Sequence, residues 1–319
     1  MLKEKIILAP LAGCSDLAFR LIAREHSCKF AFYEMSDANA LVHNNNPHKT
    51  LRMLQTHRKD KPIAAQILGG DPDRTLKASE ILLSGCKPKF LDINAACPAR
   101  KVIKKRAGAH LLREPKMLYK IIHTLSRSLT LPITVKIRTG YSTTDIKEIT
   151  TIAKHCQKAG ASILFVHGRT MKQQYSGVVD YKAIKAIKKA VDIPVYGSGD
   201  ILTPQLAEKM LNETGCDGML VARGALGNPW IFKNIENYLK GKKIKEPTFK
   251  DRIKVLKKHL AYLEKYMDYS TNSKIGHMRK VAIWYMRGLP QATELRRIIG
   301  ATHSEKALIS NTLRAMLLA

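Results

Sequence analysis

Short apolar runs alternate with longer stretches of helical periodicity along the first three quarters of the chain. Each run is four or five residues long, the usual length of a buried strand. The runs cover residues 6–9, 30–33, 63–67, 90–93, 133–137, 163–166, 193–196 and 218–221. Helices are predicted between them over residues 17–25, 72–83, 116–125, 145–158, 181–190, 204–211 and 230–239. Residues 36–61 are polar and irregular, and no helix is placed there.

Capping signals mark the ends of several predicted helices. Residues that favour helix starts precede the helical runs, and glycines follow two of them where a left-handed C-cap falls. The start signals are Asp16, Asp71, Pro72, Thr144, Thr203 and Pro204, and the stop signals are Gly160 and Gly215. Eight strand–helix units in about 240 residues favour an α/β (β/α)8 TIM barrel over a doubly wound sheet, which seldom needs so many parallel strands.

The pattern changes after residue 240. Residues 241–247 are polar and cationic and include Gly241 and Pro247, so they are predicted to link the barrel, residues 1–240, to a second domain. Residues 248–319 keep a helical period throughout, which predicts an all-helical C-terminal domain. From residue 248 onward there are fourteen Lys and Arg against five Asp and Glu, so this domain is basic in its own right.

The net charge narrows the class of partner. The 319 residues are 45% hydrophobic, enough for a large core, but 55 Lys and Arg against 26 Asp and Glu leave a formal charge of +29. Nucleic acid is the leading partner for such a charge, and the alternative is a lysine-rich surface that reflects codon usage alone. No protein partner is implied.

Neither a membrane segment nor a metal site is predicted. No stretch approaches the roughly 18 to 20 apolar residues that cross a bilayer, and the first apolar segment is too short for a signal peptide. A cytoplasmic location is therefore expected. The six cysteines form no Cys-x-x-Cys pair, which predicts neither a zinc site nor a disulfide framework. Cys97, which directly precedes Pro98 after an apolar run, is either a small buried hydrophobe or a reactive group.

Sites on a TIM barrel lie at the carboxyl ends of the strands, so the residues after each apolar run are the candidates for chemistry. Lys136 and Arg138 alternate with apolar neighbours and share one face of their strand, where a cation is costly unless an anionic group meets it. Hardly any strand ends in inert residues. The residues at the predicted tips are Pro10, Leu11, Ala12, Gly13, Glu34, Met35, Gln66, Asn94, Cys97, Lys136, Arg138, His167, Arg169, Ser198, Gly199, Asp200, Ala222, Arg223 and Gly224.

Two glycine-containing turns follow the seventh and eighth runs, where TIM barrels often bind phosphate through backbone N–H groups. Glycine lets the backbone approach an anion, and Arg223 can add charge-assisted hydrogen bonds. Each turn alone is weak support. Together, and in this position, they predict a phosphate site.

The cation at Lys136 needs an anionic partner of its own. The electron-rich end of a reduced flavin is a suitable one.

An ordered series of motifs runs through nearly the whole chain. It comprises residues 9–13, Asp16, residues 19–20, residues 34–35, Gln66, Asp92-Ile93-Asn94-x-x-Cys97-Pro98-x-x-Lys101-Val102, Gly108, residues 111–112, Pro115, Lys136-Ile137-Arg138-x-Gly140, residues 167–170, Gln173, Tyr175, Gly177, residues 199–201, residues 222–225 and residues 228–230, with residues 279–280 and 284–285 in the tail. In these motifs the chain resembles the tRNA-dihydrouridine synthase family, flavoenzymes that reduce uridine in RNA. It departs from the family pattern at Leu11, Ala95, Ala96 and Ser198, where Met, Met, Gly and Asn are usual.

The resemblance implies FMN as cofactor, NADPH or NADH as reductant, and RNA, above all tRNA, as substrate. Cys97 is then the general acid that protonates C5 of uracil, a role open to a thiol because its ordinary pKa of about 8.5 keeps it protonated at neutral pH. The implied contacts of the flavin ring and ribityl chain are Pro10, Leu11, Ala12, Gln66, Lys136 and His167, and those of its phosphate are Ser198, Gly199, Asp200, Ala222 and Arg223. The implied contacts of uracil and RNA are Asn94, Lys101, Arg138, Arg169, Arg279 and Lys280.

Two other interpretations stay open at this point. An FMN barrel that acts on a small pyrimidine would share the predicted phosphate site, but the basic tail and linker argue against it. A non-catalytic RNA-binding protein on a retained barrel is the other, and the polar groups at nearly every strand tip argue against that one. Bound flavin separates the two enzyme interpretations from the non-catalytic one, because only a non-catalytic RNA-binding protein is predicted to be colourless.

Overall fold

Eight parallel strands close into a barrel in this computed structural model, which describes residues 2–43, 52–267, 271–289 and 292–302, together with residues 304, 307, 308 and 310. Each strand pairs with the next along the chain, and the last pairs with the first. The strands are β1 (Ile6–Leu8), β2 (Ala31–Asp37), β3 (Ile63–Leu68), β4 (Leu91–Ala95), β5 (Ile133–Arg138), β6 (Ala161–His167), β7 (Val195–Ser198) and β8 (Gly218–Val221). The predicted (β/α)8 TIM barrel is confirmed.

Helices surround the barrel and continue beyond its last strand. The α-helices are α1 (Leu17–Glu25), α2 (Ala38–His43), α3 (Pro72–Gly85), α4 (Arg100–Ile103), α5 (Pro115–Ser128), α6 (Ile146–Lys158), α7 (Tyr181–Ala190), α8 (Pro204–Thr214), α9 (Ile231–Tyr238), α10 (Phe249–Tyr266), α11 (Thr271–Tyr285) and α12 (Ala292–Gly300). Short 3-10 helices span Arg52–Leu54, Gly108–Leu112 and Arg223–Ala225. The segment predicted to be irregular contains α2, and its residues 44–51 lie outside the described residues.

Seven of the eight strands differ from their predicted limits, and the differences at β7 and β2 have local causes. β7 begins at Val195 because Pro194 has no N–H to donate, and this proline joins the sheet only through its carbonyl, which accepts from Leu164 N at 3.0 Å. β2 continues to Asp37, and its pairing with β3 is irregular between Phe32 and Met35. The longer β2 therefore carries its end further toward the carboxyl side of the barrel than the sequence predicts.

Most of the predicted caps form. Asp16 caps α1 by accepting from Phe19 N at 2.9 Å, and Gly215 ends α8 in the left-handed conformation with φ of 67°. The cap of α6 is Asp145, which accepts from Glu148 N at 3.0 Å, so the prediction of Thr144 was wrong by one residue. A carboxylate is the stronger acceptor for the N–H groups at a helix start, which explains the difference.

Aromatic rings fill the end of the barrel where the strands begin. Phe30 stacks on Phe90 with ring centroids 5.4 Å apart, and Phe32 meets Phe165 edge to face at 5.5 Å. All four rings are buried. Because this layer closes the amino ends of the strands, a ligand has to enter from the carboxyl ends.

The C-terminal helices pack on one another and on the barrel through α1. Leu256 and Leu260 of α10 and Val281 of α11 share a buried cluster with Ala18 and Ile22 of α1. Residues 242–248, ahead of α10, form neither helix nor strand. The helical nature of this region is confirmed, and its division into a linker and a separate domain stays a prediction. Across the described residues, no helix has both the length and the apolar character of a membrane span.

Candidate active site at the carboxyl end of the barrel

The strand ends surround a cleft of about 900 Å³ that is partly open to solvent. Fourteen of the eighteen residues predicted from the sequence line the cleft, and only Lys101, Arg169, Arg279 and Lys280 do not. The fourteen are Pro10, Leu11, Ala12, Gln66, Asn94, Cys97, Lys136, Arg138, His167, Ser198, Gly199, Asp200, Ala222 and Arg223.

A chain of buried hydrogen bonds runs under the floor of the cleft. Asp92 accepts from Thr134 Oγ1 and from Gln66 Nε2, each at 2.7 Å. Gln66 Oε1 in turn accepts from Asn94 Nδ2 at 2.8 Å. Each amide donates toward Asp92 and accepts on its other side, so the orientation of both amide groups is fixed. Asp92 belongs to a motif of the sequence but was not predicted as a site residue.

The same chain of hydrogen bonds holds the loop that carries Cys97. Asn94 Oδ1 accepts from the backbone N–H groups of Ala96, at 3.0 Å, and Cys97, at 2.9 Å. Arg138 Nε donates to the Ala96 carbonyl at 2.7 Å from the other side. Ala96, where the family usually has Gly, does not have a positive φ, so its methyl group causes no backbone strain. The Cys97 side chain is half-buried at the wall of the cleft.

Lys136 brings a cation into the cleft from β5, next to Asn94 on β4. It forms no salt bridge within the described part of the chain, although Asp92 is close enough to attract it. Burial and, to a smaller extent, the charge of nearby Arg138 lower the pKa of Lys136 to about 8, while Asp92 opposes the shift. Burial raises the pKa of Asp92 to about 7. Lys136 therefore has unused capacity to bind an anionic or electron-rich group.

His167 is a neutral imidazole in this setting. Burial lowers its pKa to about 2, and the charges of Lys136, Arg138, Arg169 and Arg223 act in the same direction. Its buried Nδ1 has no hydrogen-bond partner among the described residues. An unpaired buried ring nitrogen is costly, which indicates a position for a ligand atom.

The turns after β7 and β8 touch each other. A Cβ on Gly224 would lie 2.1 Å from the Ile201 carbonyl oxygen, so close packing of the two turns requires glycine there. Asp200 joins them by accepting from Arg223 Nη2 at 2.7 Å and from Arg169 Nη2. The hydrogen bond from Arg169, together with the charge of Arg223, lowers the pKa of Asp200. Arg223 therefore reaches the cleft already paired with a carboxylate.

Arg138 and Arg169 bind the loop that follows β6. Arg138 Nη1 donates to the carbonyls of Thr170 and Gln174 at 2.9 and 3.0 Å. Arg169 Nε donates to the Ser176 carbonyl at 2.9 Å, and both arginine side chains are buried. The guanidinium groups thus fix this loop, and the prediction that they contact uracil or RNA stays a prediction.

That loop presents Tyr175 at the opening of the cleft. Its side chain is 55% exposed, and the Arg223 guanidinium lies 4.6 Å from its ring centroid. Tyr175 belongs to a sequence motif but was not predicted as a site residue, because it follows no strand directly. The signal that could have found it is an aromatic residue in a polar loop next to two strand-tip cations.

Besides Arg169, three of the predicted RNA contacts lie outside the cleft. Lys101 is exposed on α4, directly after the Cys97 loop. Arg279 Nη1 donates to the Gly300 carbonyl at 2.7 Å, within the helical region. Lys280, its neighbour on α11, donates to the Gly13 carbonyl in the loop between β1 and α1. The two adjacent cations therefore point to different parts of the molecule.

The residues present fit an anionic cofactor that has a hydrogen-bonding ring. Lys136, Arg138 and Arg223 line the cleft against a single carboxylate from Asp200. His167 Nδ1 supplies a polar atom without a protein partner. The cleft therefore matches the charge and hydrogen-bonding needs of a ring with a phosphate tail better than those of an apolar ligand.

Comparisons with known proteins place the chain in a family. The family model of dihydrouridine synthases matches residues 7–318. The tRNA-dihydrouridine synthase B of Pseudomonas aeruginosa is 36% identical over 296 residues, which cover 92% of this chain and 87% of that protein. The protein of the same name from Pasteurella multocida is 34% identical, with coverages of 96% and 90%. A probable tRNA-dihydrouridine synthase of Aquifex aeolicus is 31% identical, with coverages of 96% and 94%.

A solved structure supports the architecture alone. A variant of NCR from Zymomonas mobilis aligns with a TM-score of 0.52 and 14% identity over 78% of this chain and 91% of that one. The family assignment rests instead on the near-complete match to the family model and on relatives more than 30% identical over most of their length. The chain belongs to the dihydrouridine synthase family.

Proposed function

We propose that this protein reduces the 5,6 double bond of specific uridines in tRNA to dihydrouridine. FMN would be the cofactor and NADPH or NADH the reductant. The observation that carries the proposal is the cationic cleft with Cys97 fixed at its wall, in a member of this family. The curated relatives carry the name tRNA-dihydrouridine synthase. The cytoplasm stays the predicted compartment.

The cleft residues divide between the ring and the phosphate of the cofactor. Pro10, Leu11, Ala12, Gln66, Lys136 and His167 would hold the ring and ribityl chain, and Ser198, Gly199, Asp200, Ala222 and Arg223 would hold the phosphate. When bound, FMN supplies the hydride that uracil needs at C6. Lys136 would meet the electron-rich end of the ring with its ammonium group, and the neutral His167 would offer a ring nitrogen for a hydrogen bond.

Cys97 would donate the proton that C5 requires. Its thiol lies at the cleft wall, and its backbone is held by Asn94 Oδ1 on one side and, through Ala96, by Arg138 on the other. A fixed loop keeps the donor within reach of one carbon atom of the substrate, which is the requirement for general acid catalysis. Asn94 Nδ2 also donates to Met35 Sδ at 3.5 Å, a weak acceptor that the uracil edge would replace.

RNA would approach from the side of α4 and the helical region. The uridine has to leave any stack before it can enter a cleft of this size. Lys101 is exposed next to the Cys97 loop, and Arg279 is partly exposed on α11. These positions, together with the net charge of +29, support contacts to RNA phosphates around the opening.

Absorption spectroscopy tests the proposed activity. The purified protein is expected to show a flavin spectrum that NADPH bleaches and that tRNA lacking dihydrouridine restores, with dihydrouridine formed in equal amount. A flavin spectrum that a small pyrimidine restores and tRNA does not would identify a small-molecule oxidoreductase. A colourless protein that binds RNA would refute the enzyme proposal.

The salt dependence of RNA binding tests the phosphate contacts. Affinity for tRNA is expected to fall steeply with salt, because Lys and Arg contacts release counterions. Lys101→Met should reduce the slope of log affinity against log salt by about one, the value for one lost phosphate contact. The matched control is Lys154→Met on the exposed face of α6, with the same change in charge. Equal slopes for both variants would exclude Lys101 from the RNA interface.

A further inference from the structure

The loop between β1 and α1 forms one wall of the cleft. Leu11 and Ala12 line the cleft directly. The loop then folds back, with Cys14 N donating to the Leu11 carbonyl at 2.9 Å, and it passes through Gly13 at φ of 68°. Glycine has no Cβ and adopts many backbone conformations. This part of the loop therefore keeps one conformation only where other groups hold the peptide bonds of Gly13.

Two charged side chains hold Gly13 from opposite sides. The Glu34 carboxylate, from the middle of β2, accepts from the Gly13 N–H. The Lys280 ammonium, from α11, donates to the Gly13 carbonyl. Hydrogen bonds in which one partner is charged are roughly twice as strong as neutral ones, so a carboxylate and an ammonium together fix this peptide unit.

The remainder of α11 is built to keep Lys280 in this position. The ammonium lies 5.7 Å from the ring centroid of Trp284, which meets Phe19 of α1 edge to face at 5.8 Å. At the far end of the same loop, Asp16 Oδ2 contacts His277 Nε2 at 2.8 Å. Helix α11 therefore contacts the loop at its middle and at its far end through residues one helical turn apart.

The same helix also contacts the turn after β8. A Cβ on Gly227 would lie 2.2 Å from the Trp284 carbonyl oxygen, so the backbones of this turn and of α11 are in direct contact. This turn follows directly on Arg223–Ala225, which carries Arg223 into the cleft. One helix outside the barrel thus touches two of the loops that shape the proposed cofactor site.

We propose that Lys280 is a positioning residue for the cofactor. It holds the β1–α1 loop through the Gly13 carbonyl, so the position of this cleft wall depends on the helical region. This role rests on the proposed function for the identity of the cofactor. It is separate from the RNA contact predicted for Lys280, because the contact to Gly13 exists without RNA. The remaining N–H groups of the ammonium stay available to a phosphate.

The test compares two adjacent cations of α11 in the purified protein without RNA. Lys280→Met removes the hydrogen bond to Gly13, whereas Arg279→Met removes the same charge from a residue that contacts Gly300 instead. Release of FMN, followed as the rise in free-flavin fluorescence after dilution, is expected to be about tenfold faster in Lys280→Met, the value of one charge-assisted hydrogen bond. Arg279→Met should match the wild type, and Lys280→Arg should lie between the two.

Hydrogen exchange provides a readout that does not depend on the cofactor. Backbone amides of residues 11–15 should exchange faster in Lys280→Met than in Arg279→Met, at equal melting temperatures. Equal exchange and equal FMN release in the two variants would overturn the inference. Wild-type protein without any flavin would refute the proposed function instead, and the exchange measurement would still decide whether Lys280 holds the loop.

Discussion

Cys97→Ala is expected to retain bound flavin and its reduction by NADPH while losing about 10²- to 10⁴-fold in the rate of uridine reduction, the usual contribution of a general acid. The physical reason is that the variant keeps the loop but removes the proton donor. The loop is held through backbone atoms, by Asn94 Oδ1 and by Arg138 on the Ala96 carbonyl, so the side chain of residue 97 is not needed for its shape.

Stopped-flow measurement separates the two half-reactions of this variant. The rate at which NADPH bleaches the flavin should equal that of the wild type, and the rate at which tRNA restores the colour should fall. Cys86→Ala is the matched control, since Cys86 follows α3 at the opposite end of the barrel and is also half-buried. Near-wild-type reoxidation by tRNA in Cys97→Ala would refute the assignment of the proton donor.

Lys136→Met is expected to weaken FMN binding by about 10- to 100-fold, the range for one hydrogen bond to a charged group. Among the described residues Lys136 has neither a salt bridge nor a hydrogen bond, whereas Arg138, which also lacks a salt bridge, donates to three carbonyls. The Lys136 ammonium in the cleft is therefore free to bind the ligand. The variant should fold well, because a buried cation without a salt bridge does not stabilise the native state.

The pH dependence of FMN binding gives this prediction a second measurement. Burial places the pKa of Lys136 at about 8 in the free protein, so the ammonium is present below that pH and lost above it. FMN affinity should therefore fall as the pH rises above about 8 in the wild type, and this fall should be absent in Lys136→Met. Lys147→Met, an exposed change on α6, is the matched control. An affinity in Lys136→Met equal to that of the control would exclude the contact.

The comparison of sequence and structure is clearest at the strand tips. Periodicity predicts all eight strands, and the period of two along β5 predicts that Lys136 and Arg138 share a face. Both residues line the cleft. These features follow from the alternation of polar and apolar residues within one strand, so they can be predicted from a single sequence. By contrast, the sequence gives no means to decide that Arg138 donates to three carbonyls of two loops, because those carbonyls belong to residues far along the chain.

The sequence by itself determined the barrel, the helical tail, the excess of positive charge and the set of residues at the carboxyl ends of the strands, because hydrophobic period and capping are properties of neighbouring residues. Only the tertiary structure decided how those residues are used. It joined Asp92, Gln66 and Asn94 in one buried chain of hydrogen bonds and directed Lys280 to Gly13 across 267 positions. Such contacts depend on the closure of the barrel and the docking of α11, and no local pattern encodes either.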